Sequence, residues 1–220
     1  MLRSSLILAV STVTLMACAS GPASTTAVSA ETDNPVTLSA SLSSHDLAMQ
    51  TVDELVAAGS IQVAIDRLTQ LTGDPSLTRE QVADTLLRRG ELRFGEGGMD
   101  LQGAISDLEE ITTDYSDTTA AVQATVMLEA ARERAAMLTA LLDEPGTTSS
   151  QKFDILMQLG RHQEAMDLML AYDITPDDQT LMAMSEIGYL CEGDALTGRE
   201  YVATDKDGMI HNFRFCDFGK

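Results

Sequence analysis

The sequence predicts a mainly α-helical fold of stacked antiparallel hairpins, closed at the carboxy terminus by a small β-hairpin. Three observations carry that prediction. Of 220 residues, 44% are hydrophobic but only 4% aromatic, with no Trp, whereas a β-sandwich draws on aromatic and β-branched side chains. Apolar residues recur at helical spacing between breaks of Gly, Pro and Asp. One three-position pattern returns in three of the segments so defined. The length suits one domain with a sizeable core. Charge is lopsided, 34 acids against 14 bases, a net of −20. That repels phosphate backbones and anionic headgroups, so no nucleic-acid partner is expected.

Residues 1–17 read as a signal peptide. Arg3 is the only charge before Glu31, and the apolar run Ser5 to Ala17 falls short of the ~20 residues a membrane helix needs. Leu15-Met16-Ala17-Cys18 resembles the lipobox of bacterial lipoproteins. The resemblance implies cleavage before Cys18, lipidation of its thiol and acylation (palmitate among the chains) of the new amino terminus. Several chains on one residue form a stable membrane anchor. Ala19 and Ser20 stand where an Asp would mark inner-membrane retention, so the resemblance implies the outer membrane; the body is expected to face the periplasm, with surface exposure the alternative. The alternative is an ordinary cleaved signal with an incidental Cys. Removing Arg3 from the 14 bases leaves 13 against 34 acids, a net of −21, and such a body should stand off an acidic membrane. Residues 18–44 read as the lipidated Cys and a tether: from Ala19 to Ser44, 19 of 26 residues are Ala, Ser, Thr, Gly or Pro. As a coil it spans roughly 28 Å.

The helical body occupies residues 45–190. Ser44 is the expected N-cap of a first helix carrying Leu47, Val52, Leu55 and Val56. Further helices are expected over Ile61 to Leu71, Thr78 to Phe94, Leu101 to Thr113, Thr118 to Leu142 and Asp178 to Leu190, with another pair around Gly160. The repeat lies in second helices: Ala64-Leu68-Leu71, Ala104-Leu108-Ile111 and Ala165-Met169-Tyr172, each with a Gly upstream (Gly59, Gly98, Gly160). A small residue lets two helices approach while the bulky ones fill the gap between hairpins. At these segments the chain resembles the tetratricopeptide repeat (TPR) family over about half its length. The resemblance implies a TPR-like solenoid whose first helices line a peptide-binding groove. The small positions are 40 and then 61 residues apart, against the family's ~34. The excess is one long helix with Leu128, Ala131, Ala135, Leu138 and Leu142 at coiled-coil spacing. Simple α-hairpin packing is the alternative. Asp114 to Ala120 also resembles a turn found in bacterial envelope repeat proteins, with Ser116 in place of its Pro.

Residues 191–220 read as a cap. Tyr201 to Thr204 and Met209 to Phe215 have strand composition, and Asp205-Lys206-Asp207-Gly208 between them is a turn. Alternation places Met209, Phe213 and Phe215 on one face. With Cys18 lipidated, Cys191 and Cys216 invite a disulfide in an exported protein. Closing that loop contributes about 3 kcal/mol in the chain-entropy model. A metal pair or two free thiols is the alternative.

Little points to chemistry. Asp205 to Ile210 resembles the middle of a calcium loop, but Ala203 and Arg214 fall where ligands are needed, so a turn is expected. His45, His162 and His211 are far apart, and neither a nucleophile elbow nor a phosphate loop is present. No catalysis, cofactor or metal is expected. Adjacent acids such as Glu109-Glu110 and Asp177-Asp178 read as solvated surface. Arg88, Arg89 and Arg93 gather charge on one helix, with Arg89 and Arg93 four apart. The family resemblance implies a basic groove that holds a partner's carboxylate. Local pairing with Glu96, Asp84 or the acidic neighbouring helix is the alternative, and Arg132 and Arg134 are expected to pair with Glu129 and Glu133. The function expected is an adaptor that binds an envelope protein or peptide. The rival is a scaffold self-associating through the long helix, which makes oligomeric state the discriminating quantity. A third class, an enzyme or small-ligand binder, would use the carboxy-terminal hairpin.

Overall fold

A computed structural model of the chain describes residues 43–193 and 198–216. The signal peptide, Cys18 and the tether up to residue 42 therefore lie outside the described residues, as do 194–197 and 217–220 of the cap. No helix among the described residues is long and apolar enough to cross a membrane.

The described chain is mainly helical: α1 Ser44–Ala57, α2 Ile61–Thr72, α3 Arg79–Phe94, α4 Leu101–Asp114, α5 Ala120–Leu142, α6 Ser149–Leu159, α7 His162–Tyr172 and α8 Asp178–Ile187. A small antiparallel sheet follows, β1 Leu190–Glu192, β2 Tyr201–Thr204 and β3 Ile210–Phe215, in the order β1-β3-β2. Capping chemistry sets the helix starts. Ser43 with Asp46, Thr78 with Gln81 and Thr148 with Gln151 form reciprocal capping boxes at α1, α3 and α6. The first cap is thus Ser43 rather than Ser44: three residues after Ser44 stands Leu47, which cannot return a hydrogen bond. Asp100 caps α4 by accepting from the Gly103 N–H, and Asp177 caps α8 by accepting from Thr180. The long helix starts two residues later than expected because Glu80 of α3 accepts from the Thr119 N–H at 2.9 Å and supplies its cap from outside.

Helix ends follow local sterics. Gly160 and Gly188 end α6 and α8 in the left-handed region, φ 78° and 95°. Because Gly188 stops α8, Leu190 is free to open β1, a third strand absent from the sequence-based expectation. Pairing of β1 with β3 aligns Cys191 with Arg214, and Cys191 and Cys216 are disulfide-bonded with Cα atoms 5.0 Å apart. The turn after β2 is closed by Asp205, whose N–H donates to the Met209 carbonyl and whose carboxylate accepts from the Asp207 and Met209 N–H groups. Met209 belongs to that turn and is exposed, so Phe213, not Met209, carries the sheet's apolar face.

Consecutive helices pack in antiparallel neighbours, α3 on α4 and α4 on α5 most extensively. Three apolar clusters result. One joins α1, α2 and α3 around Val52, Leu68 and Leu92. A second joins α3, α4 and α5, and consumes the heptad-spaced Leu128, Ala131, Ala135 and Leu138. The third joins α6, α7, α8 and the sheet around Phe153, Met184 and Phe213. The small residues of the sequence repeat, Ala64, Ala104 and Ala165, are all fully buried. Contacts that skip a helix join α3 to α5 and α4 to α6, and α8 returns across the sequence to pack against α2.

Candidate functional site

The α3–α4 loop, residues 95–100, is the point on which distant elements converge. The Gly97, Gly98 and Met99 carbonyls, and that of Phe94 just before the loop, are bonded by side chains from three helices. Gln62 of α2 donates through Nε2 to the Gly97 and Gly98 carbonyls at 2.9 and 2.8 Å. Arg134 of α5 donates to the Phe94 carbonyl at 3.0 Å and stacks over the Phe94 ring. His162, at the start of α7, donates through Nε2 to the Met99 carbonyl at 2.6 Å, which fixes its tautomer. Two glycines permit this crowding. A Cβ on Gly98 would stand 2.0 Å from the Leu92 carbonyl oxygen, and one on Gly160 2.5 Å from the Asp100 carboxylate. Two of the three upstream glycines of the repeat therefore act at one place.

Around this loop two hollows open to solvent. The first, about 400 Å³, lies between the loop, Arg134 of α5, Asp154, Met157 and Gln158 of α6, and the start of α8. The second, about 500 Å³, lies between Ile61, the α1–α2 turn, Met182 and Glu186 of α8, and the end of β2. Both include Gly97 and Gln179, so they form one cleft divided by the loop. Volumes of this order are those of ligand-binding clefts.

The cleft is acidic. Glu96, Asp154 and Asp177 line one half, and Asp178, Glu186 and Asp205 the other. Burial pushes the Asp154 carboxyl above its ordinary range, and the Asp177 charge pushes it further. Burial also raises Glu186, against the opposing pull of the Gln62 backbone N–H. That N–H is the point of contact between α8 and α2, whose own N-cap residue Ser60 makes no side-chain capping bond.

The arginines singled out from sequence face inward. Arg89 grips Asp107 of α4 at 2.6 and 3.0 Å, and Arg93 holds the same carboxylate at 2.8 Å. Asp107 is 2% exposed. Arg93 also lies 3.1 Å from Asp100, and Arg88 pairs with Asp53 and Glu91. The geometry is thus local pairing with the neighbouring helix, although Arg93 also lines the first hollow. Arg132 pairs across helices with Glu109, and Arg134 serves the loop and Gln158, so neither bonds Glu129 or Glu133 as expected. Sequence reasoning missed Asp107, Gln62 and the cleft itself. An Asp three residues past Ala104, on the helix face it shares with Leu108 and Ile111, was the available signal.

The three histidines are held in separate places. His45 is buried and donates to the Thr85 hydroxyl at 3.1 Å, which donates in turn to the Gln81 carbonyl. His211 of β3 bridges Glu192 of β1 and Asp205 after β2, both at 2.8 Å, and those carboxylates raise its pKa. No group of three or more His, Cys, Asp or Glu among the described residues is placed to hold a metal. Comparison with protein-family models, with curated proteins and with solved structures gave no match.

Proposed function

We infer that the chain is an exported, non-catalytic lipoprotein, anchored through Cys18 in the outer membrane and facing the periplasm. Its helical hairpins form a TPR-like solenoid on a tether, and its task is to bind a partner protein or peptide. The observation that supports this best is the cleft: α3, α5, α6 and α8 contribute successive walls to one open surface, as stacked hairpins do in repeat proteins. The repeated Ala-x₃-bulky pattern supports it too, since Ala64, Ala104 and Ala165 all lie at closed helix contacts. The signal sequence and lipobox-like Leu15 to Cys18 support the address.

A second reading, self-association, has its own support. Val122, Val126, Met137 and Leu141 lie exposed along one side of α5. Site-specific photo-crosslinking of the lipidated protein in cells separates the two. A crosslinker at Gln158 in the cleft should capture one dominant heterologous protein. Self-crosslinks from position 126, with nothing captured at 158, would transfer the assignment to a scaffold. Mass spectrometry of the mature amino terminus, with Cys18→Ala as control, checks the anchor independently.

A further inference from the structure

Resting on that reading, we propose that the occupant of the cleft is a cationic, partly apolar stretch of polypeptide carrying spaced Lys or Arg side chains. The argument begins with which charges are already spent. Arg93 is paired with Asp107 and Asp100, whereas Arg134 bonds only neutral carbonyl and amide oxygens and keeps its charge. Lys206, whose charge pulls on Glu186, is the other base in the lining. Among the described residues, Glu96, Asp154, Asp177, Asp178 and Glu186 make no ion pair. The exposed outer faces carry unpaired acids as well, such as Glu110, Glu129 and Glu133, but those line neither hollow.

Spacing selects a polypeptide over an ion. The unpaired acids are spread over both halves of the cleft, from Glu96 in the loop to Glu186 of α8, and none of them belongs to a cluster able to hold a metal. A single cation reaches one of these carboxylates; a chain with several cations reaches many. The floor between them is apolar, with Ile61, Met157, Met182 and Ala183. Long Lys and Arg stems lie along such surface while their heads meet the acidic rim. Methionines adapt to varied stems, which favours a sequence-tolerant groove. Asp154, at the surface of the hollow, and the half-buried Glu186 both carry charge at a desolvation cost that an incoming cation offsets.

The test uses the full chain in detergent and two fluorescein-labelled peptides of identical apolar pattern, one with Lys and one with Glu at the charged positions. Anisotropy titration should show the Lys peptide binding and the Glu peptide not, with affinity falling as salt rises. Glu96→Gln/Asp154→Asn/Glu186→Gln should weaken the Lys peptide about tenfold or more, the equivalent of ~1.4 kcal/mol. Glu110→Gln/Glu129→Gln/Glu133→Gln, which removes the same charge from exposed outer positions, should leave binding within about twofold. Circular dichroism confirms that both variants fold. Equal weakening by the two triple variants would reduce the effect to net charge and overturn the proposal. Absence of Lys-peptide binding, equal binding of the Glu peptide, or equally tight competition by spermidine would also overturn it. A heterologous protein captured at Gln158 would still uphold the adaptor reading in any of those cases.

Discussion

Asp107 illustrates how one residue decides what its neighbours can do. Its carboxylate sits between Arg89 and Arg93 at the α3–α4 contact, nearly sealed from water. A buried ion pair is a weak source of net stability, but removing one partner strands the others without compensation. Asp107→Ala should therefore lower unfolding stability by about 3 kcal/mol in urea titration. Replacing all three, as Asp107→Leu/Arg89→Met/Arg93→Leu, should recover most of that loss, because the requirement is compensation and not charge as such. Arg89→Glu/Arg93→Glu would bring three carboxylates together and should unfold the hairpin, so it cannot serve as a probe of partner binding. The Arg spacing was legible in the sequence; its target was not. Arg89 and Arg93 share a helix face by arithmetic, but which acid lies across from that face depends on how α4 rotates, and that is set by Gly90 and Leu108 in contact.

At the scale of elements, the sheet is held by two devices of different chemistry. The disulfide ties β1 to the end of β3, and His211 bridges β1 to the turn after β2. The folded His211 pKa is raised above its ordinary 6.5 by hydrogen bonds to Asp205 and Glu192. Its contribution is therefore fully present below about pH 6.5 and is lost as pH rises through the folded value. Hydrogen exchange should show protection of β2 and β3 falling across that alkaline limb, and His211→Gln should remove the dependence. Cys191→Ser/Cys216→Ser should cost about 3 kcal/mol, with lost protection confined to α8 and the strands and α3 to α5 unchanged. The hairpin was legible because Asp205 to Gly208 is a strong turn and alternating residues flank it. The third strand was not, because Leu190 to Glu192 is too short to show a period. Helix starts were legible to within a residue or two wherever the cap was local. The start of α5 shifted because its cap comes from Glu80, 39 residues away in sequence.

For the molecule as a whole, surplus acid is the dominant electrostatic fact, and it divides into two populations. Asp46, Asp74, Asp117, Glu164 and Asp205 are held below their ordinary values by hydrogen bonds, led by Ser43, Ser76, Arg79, Arg161 and His211 respectively. Their stabilisation is present above the unfolded values, 3.8 for Asp and 4.5 for Glu, and is lost as pH falls through the folded ones. Asp84, Asp154 and Glu186 are raised, chiefly by burial. Each costs stability while charged, and the cost is relieved as pH falls through its folded value. The two groups act in different windows, relief first and loss second, on top of a self-repulsion that salt screens. Melting temperature should accordingly rise as pH drops from neutral toward the folded values of the raised acids, pass a maximum, and collapse as pH falls on through the lowered ones. Added salt should raise it most at neutral pH, where the unpaired carboxylates are all charged, and least at the maximum. Asp154→Asn/Glu186→Gln should raise the neutral-pH value and reduce the rise on the acid side of neutral to the share that His211 supplies, while leaving the acid collapse in place. Scanning calorimetry at two ionic strengths across that range measures all three. A maximum at or above neutral pH would mean that the cleft carboxylates are already compensated in the free protein, and the surplus charge assigned to a partner would have to be sought elsewhere on the surface.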